Sequence, residues 1–374
     1  MKKFLLFALI TGLALTTYSC KDESDDDRAE EDKEMLLNLS DEMIGDLDQM
    51  TESSGMQALK ALMELMEIQD PMFGPDLKST ADDRYKSLLF PSFGKKPATK
   101  SGSVEGFGFD EKTGTYTWNA GNQGWTIQQN DPPDKIIIIF PTGGPESDDN
   151  NATLTLHELT SETFEDYWDT WEQPTRLKAD LFVDDTRVIE VDLSVDYDSE
   201  GEPEEIDLYL LVSPFELSLA FEDTGSMFKV AALLKVDNLE LMSADLKLSY
   251  IIEEDEYWGD EETVITYVEG YVHYGSLKIS GNINIAALDE IDDVTVDDLN
   301  AYVNLRLERY PGGRKIADID FIEEVPGDPE TIEPRLTFVN GTTALAKDFF
   351  QPVADALEAR LQELLEEWTG ESDR

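Results

Sequence analysis

The chain has 374 residues, with 29 Lys and Arg against 82 Asp and Glu for a formal charge of −53, two histidines and one cysteine. Phosphate contacts need clustered Lys and Arg, so this balance excludes direct binding of nucleic acid or anionic headgroups, and a single cysteine excludes an internal disulfide. With 40% hydrophobic and 10% aromatic residues the chain still holds enough apolar side chains for a core, which excludes a disordered acidic protein.

Met1-Lys2-Lys3 is a short basic start, residues 4–15 are an apolar run broken only by Thr11 and Gly12, and Thr16-Thr17-Tyr18-Ser19-Cys20 is a small, polar exit. This is the layout of a secretory signal peptide. The run is short of the ~20 residues that a membrane-spanning helix needs. Cys20, directly after Ser19, resembles the lipobox cysteine of bacterial lipoproteins; the resemblance covers the first twenty residues and departs at Thr17, where an aliphatic residue is usual, and at the bulky Tyr18. It implies cleavage between Ser19 and Cys20 and acylation of Cys20, palmitate being one such chain, so that the partner is a membrane reached through an N-terminal lipid anchor. Lys21, Asp22, Glu23, Ser24, Asp25, Asp26 and Asp27 resemble the acidic export signal that Bacteroidota-type lipoproteins carry after the acylated cysteine. That likeness implies the outer leaflet of the outer membrane and the cell surface; the plainer reading is a solvated acidic spacer. Residues 1–19 thus read as a signal peptide, 20–34 as an acidic tether and 35–374 as a single α+β domain.

Within that domain 35–70 is helical. Leu36, Leu39, Met43, Leu47 and Met50, then Met56, Leu59, Leu62, Met63 and Met66, recur at helical spacing and predict a helical hairpin ended by Asp70-Pro71. Methionines suit adaptable binding surfaces and irregular core gaps alike; beside leucines at this spacing they read as core. Residues 71–102 are a proline-containing connector with a short helix near 82–89.

Residues 103–340 are β-rich. Runs at 104–109, 115–118, 125–129 and 135–140 are separated by Gly, Asn, Asp and Pro turns and predict a meander. The isoleucines at 136–139 predict a strand covered on both faces. Strands follow at 152–159, 176–183, 186–197, 205–213, 215–222, 227–236, 239–252, 263–274 and 276–286, many alternating apolar with polar residues as antiparallel strands with one wet face do. Thr295 opens a short capped helix, and strands at 303–310, 314–322 and 335–339 complete the set. Thr343 reads as the N-cap of a helix over 343–368 whose stripe of Leu345, Phe349, Val353, Leu357, Leu361, Leu364 and Trp368 runs through Pro352. The predicted fold class is therefore α+β: a large, mostly antiparallel, curled β-sheet, as meander, half-barrel or sandwich, packed with an N-terminal helical hairpin and a long C-terminal amphipathic helix.

Residues able to carry chemistry are sparse. His157 and His273 lie in separate strands, and His157 alternates with Thr153 and Thr155 on the wet face. An acylated Cys20 excludes a Cys and His nucleophile pair, no Gly-x-Ser-x-Gly elbow occurs, and Gly106-Phe107-Gly108 lacks the third glycine of a dinucleotide loop. No cofactor is expected, and acid pairs are too common to mark a glycosidase. Asp196, Asp198, Glu200, Gly201 and Asp207 match most of a calcium-loop spacing. The flanking strands, Pro203 and the short Asp207 favour a hairpin turn with solvated acids; a second acidic hairpin spans 253–262 around Trp258. Trp118, Trp125, Trp168 and Trp171 are candidates for stacking on sugars, or for the core.

The stretch 114–140, with Gly-Thr-Tyr-Thr-Trp, Trp125 and Asp131-Pro132, together with Asn151-Ala152-Thr153-Leu154 and Gly281-Asn282-Ile283-Asn284, resembles a recurring pattern in uncharacterised Bacteroidota lipoproteins and implies no activity. The expectation is a surface-exposed, outer-membrane-anchored lipoprotein that is a binding or structural module and not an enzyme. The alternatives are a lipid or lipoprotein carrier with a half-barrel cavity, and a glycan-binding or glycan-active accessory protein. The ligand is then a glycan, a lipid or a protein.

Overall fold

The computed structural model describes residues 25–69, 108–165, 170–254, 261–325 and 331–369. The signal peptide, Cys20, the connector 71–102, Trp168 and Trp258 lie outside these residues, as does the strand predicted at 104–109 up to residue 107; its last residue, Phe109, is helical. The fold is α+β, mostly antiparallel sheet with a few helices. Among the described residues no helix is long and apolar enough to cross a membrane.

Three helices open the described chain: α1 (Asp25–Leu37), α2 (Leu39–Thr51) and α3 (Ser54–Ile68). The first corrects the tether expected over 20–34, because the chain is helical from Asp25. Asp25, Asp26 and Asp27 fill the first turn, where negative charge favours a helix N-terminus. Ala29, Asp32, Met35 and Leu36 then form a buried stripe at helical spacing. Composition hid this helix because one of the residues holding its inner face is an aspartate, paired with Arg309 and Arg314 far along the chain. Helix α3 starts at the Ser53 cap, whose hydroxyl accepts from the Met56 N–H at 3.3 Å.

Contacts divide the chain into two compact units, a central one over Gln49–Glu222 and a terminal one combining Asp223–Arg374 with the N-terminal residues up to Asp48. The sequence predicts one domain over 35–374. The physical reason for the division is the strand order, since strands that pair with their sequence neighbours gather contacts locally along the chain.

In the central unit, after the short helix α4 (Phe109–Lys112), come β1 (Gly114–Asn119), β2 (Gly124–Gln129), β3 (Ile136–Phe140), β4 (Ala152–Glu165), β5 (Thr170–Val183), β6 (Thr186–Tyr197), β7 (Pro203–Val212) and β8 (Phe215–Asp223). Their order is β8-β7-β6-β5-β4-β3-β1-β2. The opening meander is corrected: β1 pairs with β2 antiparallel on one side and with β3 parallel on the other. Residues 130–135 cross the start of β1, where Gly114 (φ +139) donates its N–H to the Lys135 carbonyl. A Cβ at Gly114 would stand 2.3 Å from the Gln128 carbonyl oxygen, so the crossing needs glycine. Register then lines Ile138, Leu154, Leu181, Ile189, Val212 and Phe215 into one apolar row. Ala58, Ala61, Leu62 and Leu65 of α3 share a core with members of this row. Ile136, Ile138 and Phe140 are buried while Ile137 and Ile139 are half-buried, so β3 is covered more fully on one face than the other.

The terminal unit holds β9 (Met227–Val236), β10 (Leu239–Glu254), β11 (Glu261–Tyr274), β12 (Leu277–Asn284), the helices α5 (Ile285–Asp289) and α6 (Val296–Tyr302), then β13 (Val303–Arg309), β14 (Arg314–Glu323), β15 (Ile332–Phe338), β16 (Thr343–Leu345) and α7 (Lys347–Thr369). These strands follow sequence order in antiparallel pairs. Thr295 and Asp298 close a reciprocal capping box on α6. Thr343 caps no helix: it pairs with Thr337 in the sheet, and α7 begins four residues later. One face carries the core of Met35, Leu36, Met43, Tyr274, Leu277, Leu307, Phe338, Phe349 and Val353, which settles two of the methionines as packing residues. The other face carries Ser243, His273, Lys278 and Glu308, which stand side by side in register.

Candidate functional site

Among the described residues, a cluster with a hydroxyl, an imidazole and an acid in reach of each other lies on this polar face. Asp237 and Asn238, both with positive φ, make the tight β9–β10 turn, and on its other side β10 pairs with β11 so that Ser243 stands opposite His273. Ser243 Oγ lies 2.8 Å from His273 Nδ1, and Glu240 Oε1 lies 3.3 Å from the same nitrogen. Tyr310, just past β13, stacks on the imidazole at 3.7 Å between centroids and donates from its hydroxyl to Glu240 Oε1 at 3.3 Å. His273 is fully buried, and its Nε2 has no hydrogen-bond partner among the described residues. Burial pushes the imidazole below its ordinary pKa, Glu240 and the Gly275 backbone oppose that, and Lys278 adds to it. Burial, then Glu240, pushes the Tyr310 phenol up.

This geometry is not a proton relay. A Ser, His, acid triad places the serine on one ring nitrogen and the acid on the other, whereas Ser243 and Glu240 both address Nδ1 and Ser243 is itself buried. What the cluster can do is hold a neutral imidazole whose charging is opposed by burial. The sequence places His273 in a strand but offers no sign of its partners, which depend on the register of β10 against β11.

The neighbouring polar groups are paired, apart from the buried Asp32 Oδ2, which has no hydrogen-bond partner among the described residues. Glu308 is buried; it accepts from Ser280 at 2.9 Å and pairs with Arg306 at 3.0 Å. Tyr274 donates to Asp46 Oδ2 beneath α2, and burial followed by Asp46 raises both the Tyr274 phenol and the Glu42 carboxyl. Asp32 Oδ1 is held at 2.8 Å by Arg309 and 2.9 Å by Arg314.

Of the residues singled out from sequence, Ser19, Cys20, Lys21, Asp22, Glu23 and Ser24 lie outside the described residues. Asp25, Asp26 and Asp27 are helical, and Asn340 donates to Asp26 at 3.1 Å. The calcium-like loop is a hairpin turn closed by Asp198, whose Oδ1 accepts from the N–H groups of Glu200 at 2.8 Å and Glu202 at 2.9 Å. Gly201 (φ +83) packs against Phe164 and Trp171, while Asp196 and Asp207 are exposed on β6 and β7. Among the described residues no group of three or more His, Cys, Asp or Glu is placed to hold a metal ion. Of the candidate tryptophans, Trp118, Trp125 and Trp171 are buried and so offer no platform for a sugar, while Trp168 lies outside the described residues. Trp118 and Trp125 pack edge to face at 5.2 Å and donate to the carbonyls of Pro145 at 3.0 Å and Gln69 at 2.7 Å. His157 is exposed and paired with Asp180 at 2.6 Å. Compared with protein-family models, curated proteins and solved structures, the chain matches none of them.

Proposed function

We propose that this protein is an outer-membrane-anchored, surface-exposed lipoprotein that serves as a binding or structural module without a catalytic site. The observation that carries the reading is Cys20, the sole cysteine, set after an apolar run and a small residue. Four residues separate it from α1, and Asp32 ties α1 to β13 and β14, so the anchor would join directly to folded structure. More than one acyl chain is needed for stable attachment, each buried methylene contributing ~0.8 kcal/mol.

The test is metabolic labelling with an alkyne fatty acid in a Bacteroidota host. The native chain takes up label and Cys20→Ala does not; equal labelling of the two sinks the reading. Protease treatment of intact cells then tests the surface address. Because Asp25, Asp26 and Asp27 also serve α1, the neutralising substitutions belong at Asp22 and Glu23, and they should leave the protein acylated but shielded from protease.

A lipid carrier is the second reading, favoured by Gly270 and Gly281. They face each other across β11 and β12 with φ +143 and +148, in an otherwise aliphatic row of Val230, Leu246, Leu305 and Ile319. Paired glycines of this kind bend a sheet, and a curled apolar face suits an acyl chain. A lipid-sized mass on the protein in native mass spectrometry without detergent would favour the carrier; the bare mass would sink it.

A further inference from the structure

Among the described residues, the outer edge of β2 presents unused main-chain hydrogen-bonding capacity. Asn130 donates its N–H to the Thr113 carbonyl at 2.8 Å, which makes Thr113 and Asn130 a hydrogen-bonded pair. Such pairs alternate along an antiparallel ladder. With Gly114 opposite Gln129, it follows that Thr126 and Gln128 bond to β1 while Trp125, Ile127 and Gln129 turn their N–H and C=O groups outward. The Trp125 N–H is taken by Gln69 Oε1 at 3.3 Å. Ile127 and Gln129 keep two donors and two acceptors on an edge where no described strand pairs.

Edges of this kind are ordinarily blunted by Lys, Pro, a bulge or a very short strand. The edge at the other end of the strand order, β16, has three residues; β2 has six, pairs with β1 without a register shift, and exposes Thr126, Ile127, Gln128 and Gln129, with Ile127 48% exposed. Residues 114–130 carry no charge in a chain of which 30% is charged.

We propose that β2 pairs with β2 of a second copy of this chain, antiparallel about a two-fold axis through Gln128. Ile127 then faces Gln129 of the partner copy twice over, four main-chain hydrogen bonds in all. Asn130, with φ +58, turns the chain back toward Thr113, so each strand leaves the ladder before meeting the other copy's Gln69. Charge selects the orientation. Asp131 and Asp134 follow β2 while 119–123 before it are uncharged, so the antiparallel arrangement sets each acidic end beside an uncharged one and a parallel arrangement sets acid beside acid. For two molecules of −53, the uncharged edge is where approach is least opposed.

The two-fold makes Gln128 face its own copy as a pair without hydrogen bonds, at the ~4.5 Å Cα separation that a disulfide accepts. In the full chain with Cys20→Ala, Gln128→Cys should oxidise to a covalent dimer at least tenfold faster than Thr126→Cys, which would face Asn130 instead. Ile127→Pro removes an outward donor and no bond to β1, so it should abolish cross-linking in the Gln128→Cys background while thermal unfolding is unchanged. If Gln128→Cys stays monomeric, or cross-links no faster than Thr126→Cys, the proposal fails. Should Ile127→Pro fail to fold, the two cysteine variants still decide it, and neither depends on acylation.

Discussion

The imidazole of His273 lies against the ring of Tyr310 with 30° between their planes, walled off from water on the polar face of the sheet. The folded state therefore disfavours charging His273, chiefly through burial. Its folded pKa lies below the ~6.5 of the unfolded chain, so the contribution to stability is fully present above that value and is lost as pH falls from there through the folded pKa. His273→Phe keeps the stacking but drops the Ser243 contact, for a cost of ~1 kcal/mol at pH 8. Denaturant midpoints measured from pH 8 to 5 should fall more steeply for the native chain than for the variant, so that the two converge in acid. Parallel curves would show that the imidazole does not titrate against burial.

Asp32 is the clearest case of a residue whose role comes from residues far away in sequence. Removing one member of a buried ion pair costs ~3–5 kcal/mol, and Asp32→Ala should fall at or below the low end because Arg309 and Arg314 are partly exposed and can rehydrate. Limited proteolysis should then cut within α1 before the rest of the chain. A variant as resistant as the native chain would mean that α1 is held by Ala29, Met35 and Leu36 alone.

Three glycines separate backbone need from mere tolerance. A Cβ at Gly270 or Gly281 would stand 2.0 Å from the Asp245 carbonyl oxygen or 1.9 Å from that of Asn304, in a conformation L side chains rarely adopt. Either alanine variant should lose more than ~3 kcal/mol. Gly45 sits in α2 with nothing within 4 Å of its would-be Cβ, so Gly45→Ala should gain ~0.5–1 kcal/mol. Thermal denaturation of the three variants checks both signs.

These contrasts also show what was legible in the sequence. Period-two alternation, as in Val188 to Leu193, located most strands, and the turn residues between them set their limits. What alternation cannot show is which strand lies beside which: β1 and β3 became neighbours because Asn130 and Gly114 let the chain cross, a property of two backbone conformations. Helix α1 was invisible to an apolar count because Asp32 is buried by its partners. The Ser243 and His273 cluster was out of reach for the same reason as the parallel pair, since it exists only once register is fixed.

Asp198 decides between a calcium loop and a turn. Its carboxylate accepts two backbone N–H bonds, to Glu200 and Glu202, and so works as a turn closure that needs no ion. Asp198→Ala should cost ~1 kcal/mol for the lost bonds, by the same amount in chelator and in millimolar calcium, and calcium should leave the native unfolding midpoint where it was. A midpoint that rises with calcium in the native chain, and fails to rise in the variant, would make Asp198 an ion ligand. The acids at Asp196 and Asp207 would then have to move, because they stand on two paired strands, opposite Glu205 and Ser194 respectively.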